Sequence, residues 1–407
     1  MTDLAAGAEA ATAAMRDVFP PTPLARNDWL SDRFGADVWL KREDLTPVRS
    51  YKIRGAFNAM RKLPGGRVAC ASAGNHAQGV AWMCRHLGVD GTIFMPVTTP
   101  GQKIGKTRLF GGDRVEVRLV GDFFDATLAA AQSYCEQTGA HFLSPFDDDD
   151  VIEGQASVAA EIADTLGGVP DHLILPVGGG GLASGAVEVF GTACTYTFVE
   201  PSGAPSLAAA LEAGAPVDVS PIDPFVDGAA VAKIGVRTFA RLRGIDPAAV
   251  IDLAEDRICG TIVEMLNVEG IVLEPAGALS VEALSVVAPQ IRGKQVVCVT
   301  SGGNFDFERL PEVRERAQRH AGLQKYLILR LPQRPGALRD FLDTLGPRDN
   351  ITRFEYMKKS ARNFGSVLLG IETDRPENFP AMFARIDAAG FTYTDITNDE
   401  ILAQFVV

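Results

Sequence analysis

Lys52 sits in the stretch Ser50-Tyr51-Lys52-Ile53-Arg54-Gly55-Ala56, just after the charged run Lys41-Arg42-Glu43-Asp44. A lysine amine freed from solvent can condense with a carbonyl and hold it as a Schiff base. A lone lysine is more often a solvated surface charge, so such a site needs other stretches to complete it. Gly178-Gly179-Gly180-Gly181-Leu182 ends an apolar run and opens a helical pattern. Glycines there let backbone N–H groups approach a phosphate, and a helix N-terminus favours the anion. Ser72-Ala73-Gly74-Asn75-His76 is a second strand-to-helix turn. Its free N–H groups could take a substrate carboxylate, and Asn75 offers an amide to a ring oxygen. Alone it reads equally as a plain helix N-cap, and His76 reads first as structural. Val299-Thr300-Ser301-Gly302-Gly303-Asn304 ends a third apolar run. Ser301 could donate to a heteroaromatic nitrogen or simply form a strand-end turn.

The elements that position these stretches alternate. Val38–Lys41 reads as a short strand, and a helix follows Lys52 with Ile53, Ala56, Phe57 and Met60 on one face. Strands at 67–72, 92–96 and 114–120 alternate with helices at 76–87, 101–110 and 122–138. The acidic break Asp147–Asp150 precedes a helix to about Leu166. Strands at 172–177, 195–199 and 295–300 and a helix at 276–287 form a second set. Such alternation predicts parallel sheets in a two-lobed α/β domain, with the ligand at strand C-termini. We expect this catalytic domain over residues 1–320, with a small lobe at about 55–150 and a large lobe from the remainder. Leu310–Gln324 reads as a charged helical connector. From Lys325 the pattern becomes strand 325–331, helix 336–345, strands 351–358 and 365–372, helix 376–389 and strand 391–395. That is a single ferredoxin-like βαββαβ unit at 325–407.

Composition narrows the function classes. The 407 residues exceed one ordinary core. Net charge is −12, and the segment from Lys325 to Val407 balances 11 basic against 11 acidic residues, so the acidic excess lies upstream. A chain with no basic stripe disfavours nucleic acid or an anionic membrane as partner. The six cysteines have no metal-ligand or CxxC spacing, which points to a reducing compartment. No apolar run reaches membrane-spanning length, and the Ala-rich start lacks the basic and apolar regions of a signal peptide. The expected location is the cytoplasm.

Two enzyme classes fit the glycine run. Gly178-x-Gly180-x-x-Ala183 mimics a dinucleotide fingerprint, and Glu200, 22 residues beyond Gly178, sits where a ribose-binding acid would. Read alone, this favours an NAD-dependent oxidoreductase, but it leaves Lys52 and the other two turns unexplained. Together with Asp227–Val231 and Glu274-Pro275-Ala276-Gly277-Ala278-Leu279-Ser280, the stretches stand in the order seen in pyridoxal-phosphate enzymes of the tryptophan-synthase-β type, fold type II. The chain most resembles the biosynthetic threonine dehydratases (threonine ammonia-lyases). Leu331–Pro347 is similar to the start of their C-terminal regulatory, ACT-like domain, so the likeness covers nearly the whole chain.

The resemblance implies a role for each stretch. Lys52 would carry pyridoxal 5′-phosphate as a Schiff base and later act as base at the substrate α-carbon. Gly178, Gly179, Gly180, Gly181 and Leu182 would hold the phosphate, Asn75 the ring hydroxyl and Ser301 the pyridine nitrogen. The turn of Ser72, Ala73, Gly74, Asn75 and His76 would take the substrate carboxylate. The implied reaction is deamination of L-threonine, or L-serine, to a 2-oxo acid and ammonia. For threonine this is the committed step of isoleucine biosynthesis, with isoleucine inhibiting and valine opposing it. A broad serine/threonine dehydratase and a pure amino-acid sensor are the other readings. Related serine racemases carry a second serine where this chain has Ala73, and a metal-binding carboxylate where it has Ser206. Racemisation and a divalent metal at that site are therefore disfavoured. The long forms carry two ACT-like modules against one here, and a homotetramer is expected.

Overall fold

The computed structural model describes residues 4–357 and 363–399. The chain divides into two units, Met1–Phe305 and Asp306–Val407. In chain order the strands of the first unit are β1 (Leu24–Arg26), β2 (Asp37–Arg42), β3 (Val68–Ala71), β4 (Gly91–Met95) and β5 (Val115–Leu119). They continue with β6 (His141–Phe142), β7 (His172–Pro176), β8 (Thr195–Pro201), β9 (Val250–Leu253) and β10 (Gln295–Thr300).

Two sheets result. One has the order β5-β4-β3-β6 and is parallel throughout; the other runs β1-β2-β10-β7-β8-β9 and is parallel except for β1. The second sheet takes β2 from early in the chain and pairs it with β10, Thr300 opposite Arg42. That crossover brings the chain before Lys52 beside the turn after Thr300. Both sheets are built on apolar runs that bury completely, Val68–Ala71 in one and His172–Pro176 in the other, as strands covered on both faces require. Helix Lys52–Lys62 is buried from Ile53 to Met60 and contributes Ile53, Ala56, Phe57 and Met60 to the core around β3 and β4. A separate core gathers Leu173, Leu175, Val177, Phe198, Val297 and Val299.

The acidic run at 147–150 is more than a break. Asp147 accepts from the backbone N–H groups of Val236, Arg237 and Thr238, opening helix Val236–Leu242. Asp148 caps helix Asp149–Leu166, and Asp149 pairs with Arg237 and Arg241. Carboxylates at helix starts satisfy orphan N–H groups and complement the dipole.

The second unit holds β11 (Gln324–Pro332), β12 (Asn350–Met357), β13 (Phe364–Glu372) and β14 (Thr392–Asp395) in one antiparallel sheet of order β12-β13-β11-β14. With helices Ala337–Leu342 and Asn378–Ala388 this is the ferredoxin-like βαββαβ order read from the sequence. Lys358, the expected end of one strand, lies outside the described residues. Leu327, Leu329, Val367, Leu369 and Ile371 meet Phe341, Met382 and Ile386 in its core. Helix Leu310–His320 lies in this unit, with Glu315 accepting from the Tyr326 hydroxyl. Among the described residues no helix is long and apolar enough to cross a membrane.

Candidate active site

Lys52 is the first residue of its helix because the preceding loop is pinned. Thr46 Oγ1 accepts from Ser50 N and donates to Ser50 O, both at 2.9 Å. Arg49 takes φ 58°, a left-handed conformation that costs a residue with a Cβ about 1 kcal/mol or more. The strain is held by pairing with the Ser301 turn. Gly303 N donates to Arg49 O at 2.9 Å, Tyr51 N to Ser301 O at 3.1 Å, and Ser50 bridges Gly302. Lys52 and Ser301, 249 positions apart in the numbering, are thus neighbours through their backbones.

Two residues further along, Arg54 anchors the same helix. It is fully buried, with its guanidinium forked onto Glu43 (2.7 and 2.8 Å) and Glu161 (2.7 and 3.0 Å). Lys41 Nζ donates to Glu161 at 2.6 Å and to Thr22 O at 2.8 Å. Burial alone would raise the Glu161 carboxyl, but Arg54 and Lys41 outweigh it and hold it well below the usual carboxylate range. Asp44 accepts from Arg42 and from Thr300 Oγ1, tying the run ahead of Lys52 to the end of β10. The Lys41–Asp44 run is therefore the foundation of the lysine loop, a role its sequence did not reveal.

Lys52 itself is half-buried and makes one hydrogen bond, Nζ to Pro145 O at 2.8 Å. The Tyr51 and Phe146 rings lie 5.3 and 5.9 Å from the nitrogen. Burial pushes its ammonium down to about 8, and the Glu274 carboxylate only partly opposes this. A useful fraction of free amine then exists near neutral pH.

The glycine turn lies against Phe146. A Cβ on Gly179 would come within 2.1 Å of that ring, so the position admits only glycine, and Gly180 takes φ 89°. Ser206 Oγ donates to Gly178 O at 3.2 Å and Thr238 Oγ1 to Gly179 O at 2.7 Å. In a trans peptide the N–H points opposite its carbonyl. Holding both carbonyls thus turns the Gly179 and Gly180 N–H groups the other way, at the start of helix Gly181–Phe190. That is an anion cradle. Leu182 is buried beneath it.

Asn75 opens helix Asn75–Leu87. Its Nδ2 donates to Glu274 at 2.6 Å, and its Oδ1 accepts from Asn304 at 2.7 Å. Asn304 also donates to Val48 O and accepts from Lys106 Nζ, each at 2.8 Å. Burial raises the Glu274 carboxyl to about 7, helped by Asp227 and opposed by Asn75 and Lys103. A Cβ on Gly302 would stand 2.1 Å from Glu274 Oε1, so glycine there makes room for the carboxyl. Ser72 Oγ accepts from Gly74 N at 3.2 Å, leaving Ala73 between them without a hydroxyl. The His76 ring is buried and bonds Leu143 O at 3.0 Å through Nε2. Burial first, and the nearby Lys52 charge second, depress it to about 3, so the ring is neutral. Its side chain is structural; only its backbone N–H remains in the turn. Glu200 is likewise engaged, accepting from Leu207 N at 2.7 Å and Ala208 N at 2.9 Å. It caps helix Ser206–Ala213 instead of facing a ribose.

Residues 15–302 match the family described as pyridoxal-phosphate dependent enzyme, and residues 315–406 match the C-terminal regulatory domain of threonine dehydratase. The biosynthetic L-threonine dehydratase of Bacillus subtilis is 45% identical over 401 residues, covering 97% of this chain and 95% of that relative. That of Mycobacterium tuberculosis is 44% identical over 393 residues, covering 94% and 91%. The chain belongs to the biosynthetic L-threonine dehydratase family. Among solved structures, the processed threonine deaminase isoform 2 of Solanum lycopersicum superposes with a TM-score of 0.72 at 36% identity, over 78% of this chain and 94% of that one. The NAD reading of the glycine run is thereby set aside.

Family members use pyridoxal phosphate, and the site fits it on three independent observations. The Ser301 hydroxyl, on a residue 2% exposed, makes no hydrogen bond among the described residues. The glycine turn opens helix Gly181–Phe190 with its Gly178 and Gly179 carbonyls held by Ser206 and Thr238, which leaves the following N–H groups for an anion. Lys52 is an amine without a carboxylate contact. Sequence reasoning missed Glu274, Asn304, Pro145 and Phe146. Glu274 and Asn304 stand inside quoted motifs, yet nothing in their type marked them. Pro145 and Phe146 carried no signal at all.

Proposed function

We propose that this chain converts L-threonine to 2-oxobutanoate and ammonia by β-elimination of water, the committed step of isoleucine biosynthesis. The observation that carries the reading is Lys52, a half-buried amine depressed to about 8 and facing Phe146 beside the glycine turn. Bound pyridoxal phosphate supplies the electron sink that weakens the bond to the α-hydrogen. Lys52 holds the cofactor and then, as free amine, takes the α-proton at Nζ. The Gly178–Leu182 turn binds the phosphate through backbone N–H groups. Asn75 meets the ring hydroxyl with its second amide hydrogen, the first being held by Glu274. Ser301 would donate to the pyridine nitrogen and, being no carboxylate, would not hold it as a cation. The N–H groups of the Ser72–His76 turn take the substrate carboxylate. Phe146 and Tyr51 exclude water around Lys52. Ala73 leaves the opposite face without a base, which favours elimination over inversion.

A free amino acid, isoleucine as inhibitor and valine as its opponent, acts through the second unit, and the assembled enzyme is a cytoplasmic homotetramer. The test is threonine turnover by the pure holoenzyme with the 2-oxo acid measured directly. Formation of 2-oxobutanoate supports the reading; its absence, or a nicotinamide-dependent signal, would sink it. A kcat/KM for serine equal to that for threonine would favour a broad serine/threonine dehydratase.

A further inference from the structure

Helix Gly101–Gly111 follows β4 and helix Asn75–Leu87 follows β3, so both belong with the β5-β4-β3-β6 sheet. Asn304 follows β10, and Glu274 precedes helix Pro275–Ile291, which packs on β10 and β7 of the other sheet. Four side chains drawn alternately from these two lobes form one chain of hydrogen bonds. Lys106 Nζ donates to Asn304 Oδ1 at 2.8 Å, Asn304 Nδ2 to Asn75 Oδ1 at 2.7 Å, and Asn75 Nδ2 to Glu274 Oε1 at 2.6 Å. We propose that Lys106 is a positioning residue for the bound cofactor, acting through Asn304 on Asn75. The proposal rests on the assignment of Asn75 to the ring hydroxyl and adds a residue which that assignment does not contain.

Direction is what the chain fixes. An ammonium only donates, and a carboxylate or a backbone carbonyl only accepts. Lys106 therefore requires the oxygen of the Asn304 amide, and Val48 O, 2.8 Å from Nδ2, requires its nitrogen. Asn304 then presents an N–H to Asn75, which meets it with Oδ1 and turns Nδ2 towards Glu274. Reversing either amide would set two donors or two acceptors face to face. One hydrogen of Asn75 Nδ2 goes to Glu274, and the second remains for the ring oxygen. Glu274 alone does not secure this, because burial brings its carboxyl to about 7 and the protonated form can donate. The ammonium at the other end has no lone pair and holds one sense. Bonds in series also polarise one another. With a cation at the donor end the Asn75 N–H becomes the stronger donor, which favours the deprotonated ring oxygen over the hydroxyl. Lys103 already ties the same helix to Asp227 across the lobes, so a second lysine aimed at an amide is not needed as a tether.

The experiment takes two readings on the full chain. One is the equilibrium affinity for pyridoxal phosphate added back to cofactor-free enzyme. The other is the absorbance of the holoenzyme across pH, in which the deprotonated ring oxygen absorbs at longer wavelength than the hydroxyl. Lys106→Met should weaken the cofactor by at least about fivefold and move absorbance from the long-wavelength to the short-wavelength band, and Lys106→Arg should restore both. In an Asn75→Ala background Lys106→Met should change neither reading further. Asn304→Ala, which cuts the chain at its middle link, takes the place of Asn75→Ala if that variant does not fold. A Lys106→Met enzyme that keeps both the affinity and the band, or a loss of equal size with and without Asn75, overturns the proposal while the ring-hydroxyl assignment stands. Unchanged affinity and band in soluble Asn75→Ala overturn that assignment and the proposal with it.

Discussion

Lys52 and Arg54 are two residues apart on one buried helix, and their surroundings are opposite. Arg54 has two carboxylates, Glu43 and Glu161, each met by more than one N–H. Lys52 has a single backbone carbonyl. Burial penalises both cations; Glu43 and Glu161 reverse that penalty for Arg54 and raise it, whereas Glu274 does not for Lys52. A cation whose charge is fully matched holds position, and one left undermatched becomes a nucleophile and base. The site uses the first kind to aim the second.

The contrast predicts that damage to the two residues reads out differently. Lys52→Ala should cut threonine turnover by about 10³-fold or more, the range for losing a general base and more if cofactor retention also fails. Its fold, followed by circular dichroism, stays intact. Arg54→Met and Glu161→Gln should instead destabilise the protein by about 3–5 kcal/mol in denaturant melts, because each strands buried charge. Comparable unfolding by Lys52→Ala, or none by Arg54→Met, would break the comparison.

A smaller effect sharpens it through pH. The Lys52 amine is depressed to about 8 in the folded protein against 10.5 in an exposed lysine. Below 8 the folded state must bury an ammonium that the unfolded chain solvates, so the residue destabilises there. That cost fades as pH rises through 8 towards the unfolded value. In cofactor-free protein Lys52→Met should therefore raise stability by about 1–3 kcal/mol at pH 7, with the gain shrinking above pH 8. Glu161 runs the other way. Its depressed carboxyl contributes stability above the usual carboxylate range, lost as pH falls through its folded value. Wild type should lose this increment in acid melts, and Glu161→Gln should lack it at every pH.

The legible parts of the molecule were those with strong periodicity. The strands at His172–Pro176 and Gln295–Thr300 are apolar runs bounded by turns, and the β11–β14 unit alternates on one face. Short or edge elements escaped: β6 has two residues, β1 is a three-residue antiparallel edge, and β9 buries only Leu253. Within the site, the lysine and the glycine turn were visible because their types are unusual where they stand. Glu274 was not, since a carboxylate before proline looks like any helix start until Asn75 arrives from 199 positions away. Glu200 shows the opposite error: fingerprint spacing pointed to a ribose, whereas local geometry uses the carboxylate as a helix cap.

The most direct test is borohydride reduction of the pure holoenzyme, digestion and mass spectrometry of every lysine peptide. The account predicts one pyridoxyl adduct per chain, on Lys52, and none in Lys52→Ala. An adduct on any other lysine of the native enzyme, or none at all, would contradict it.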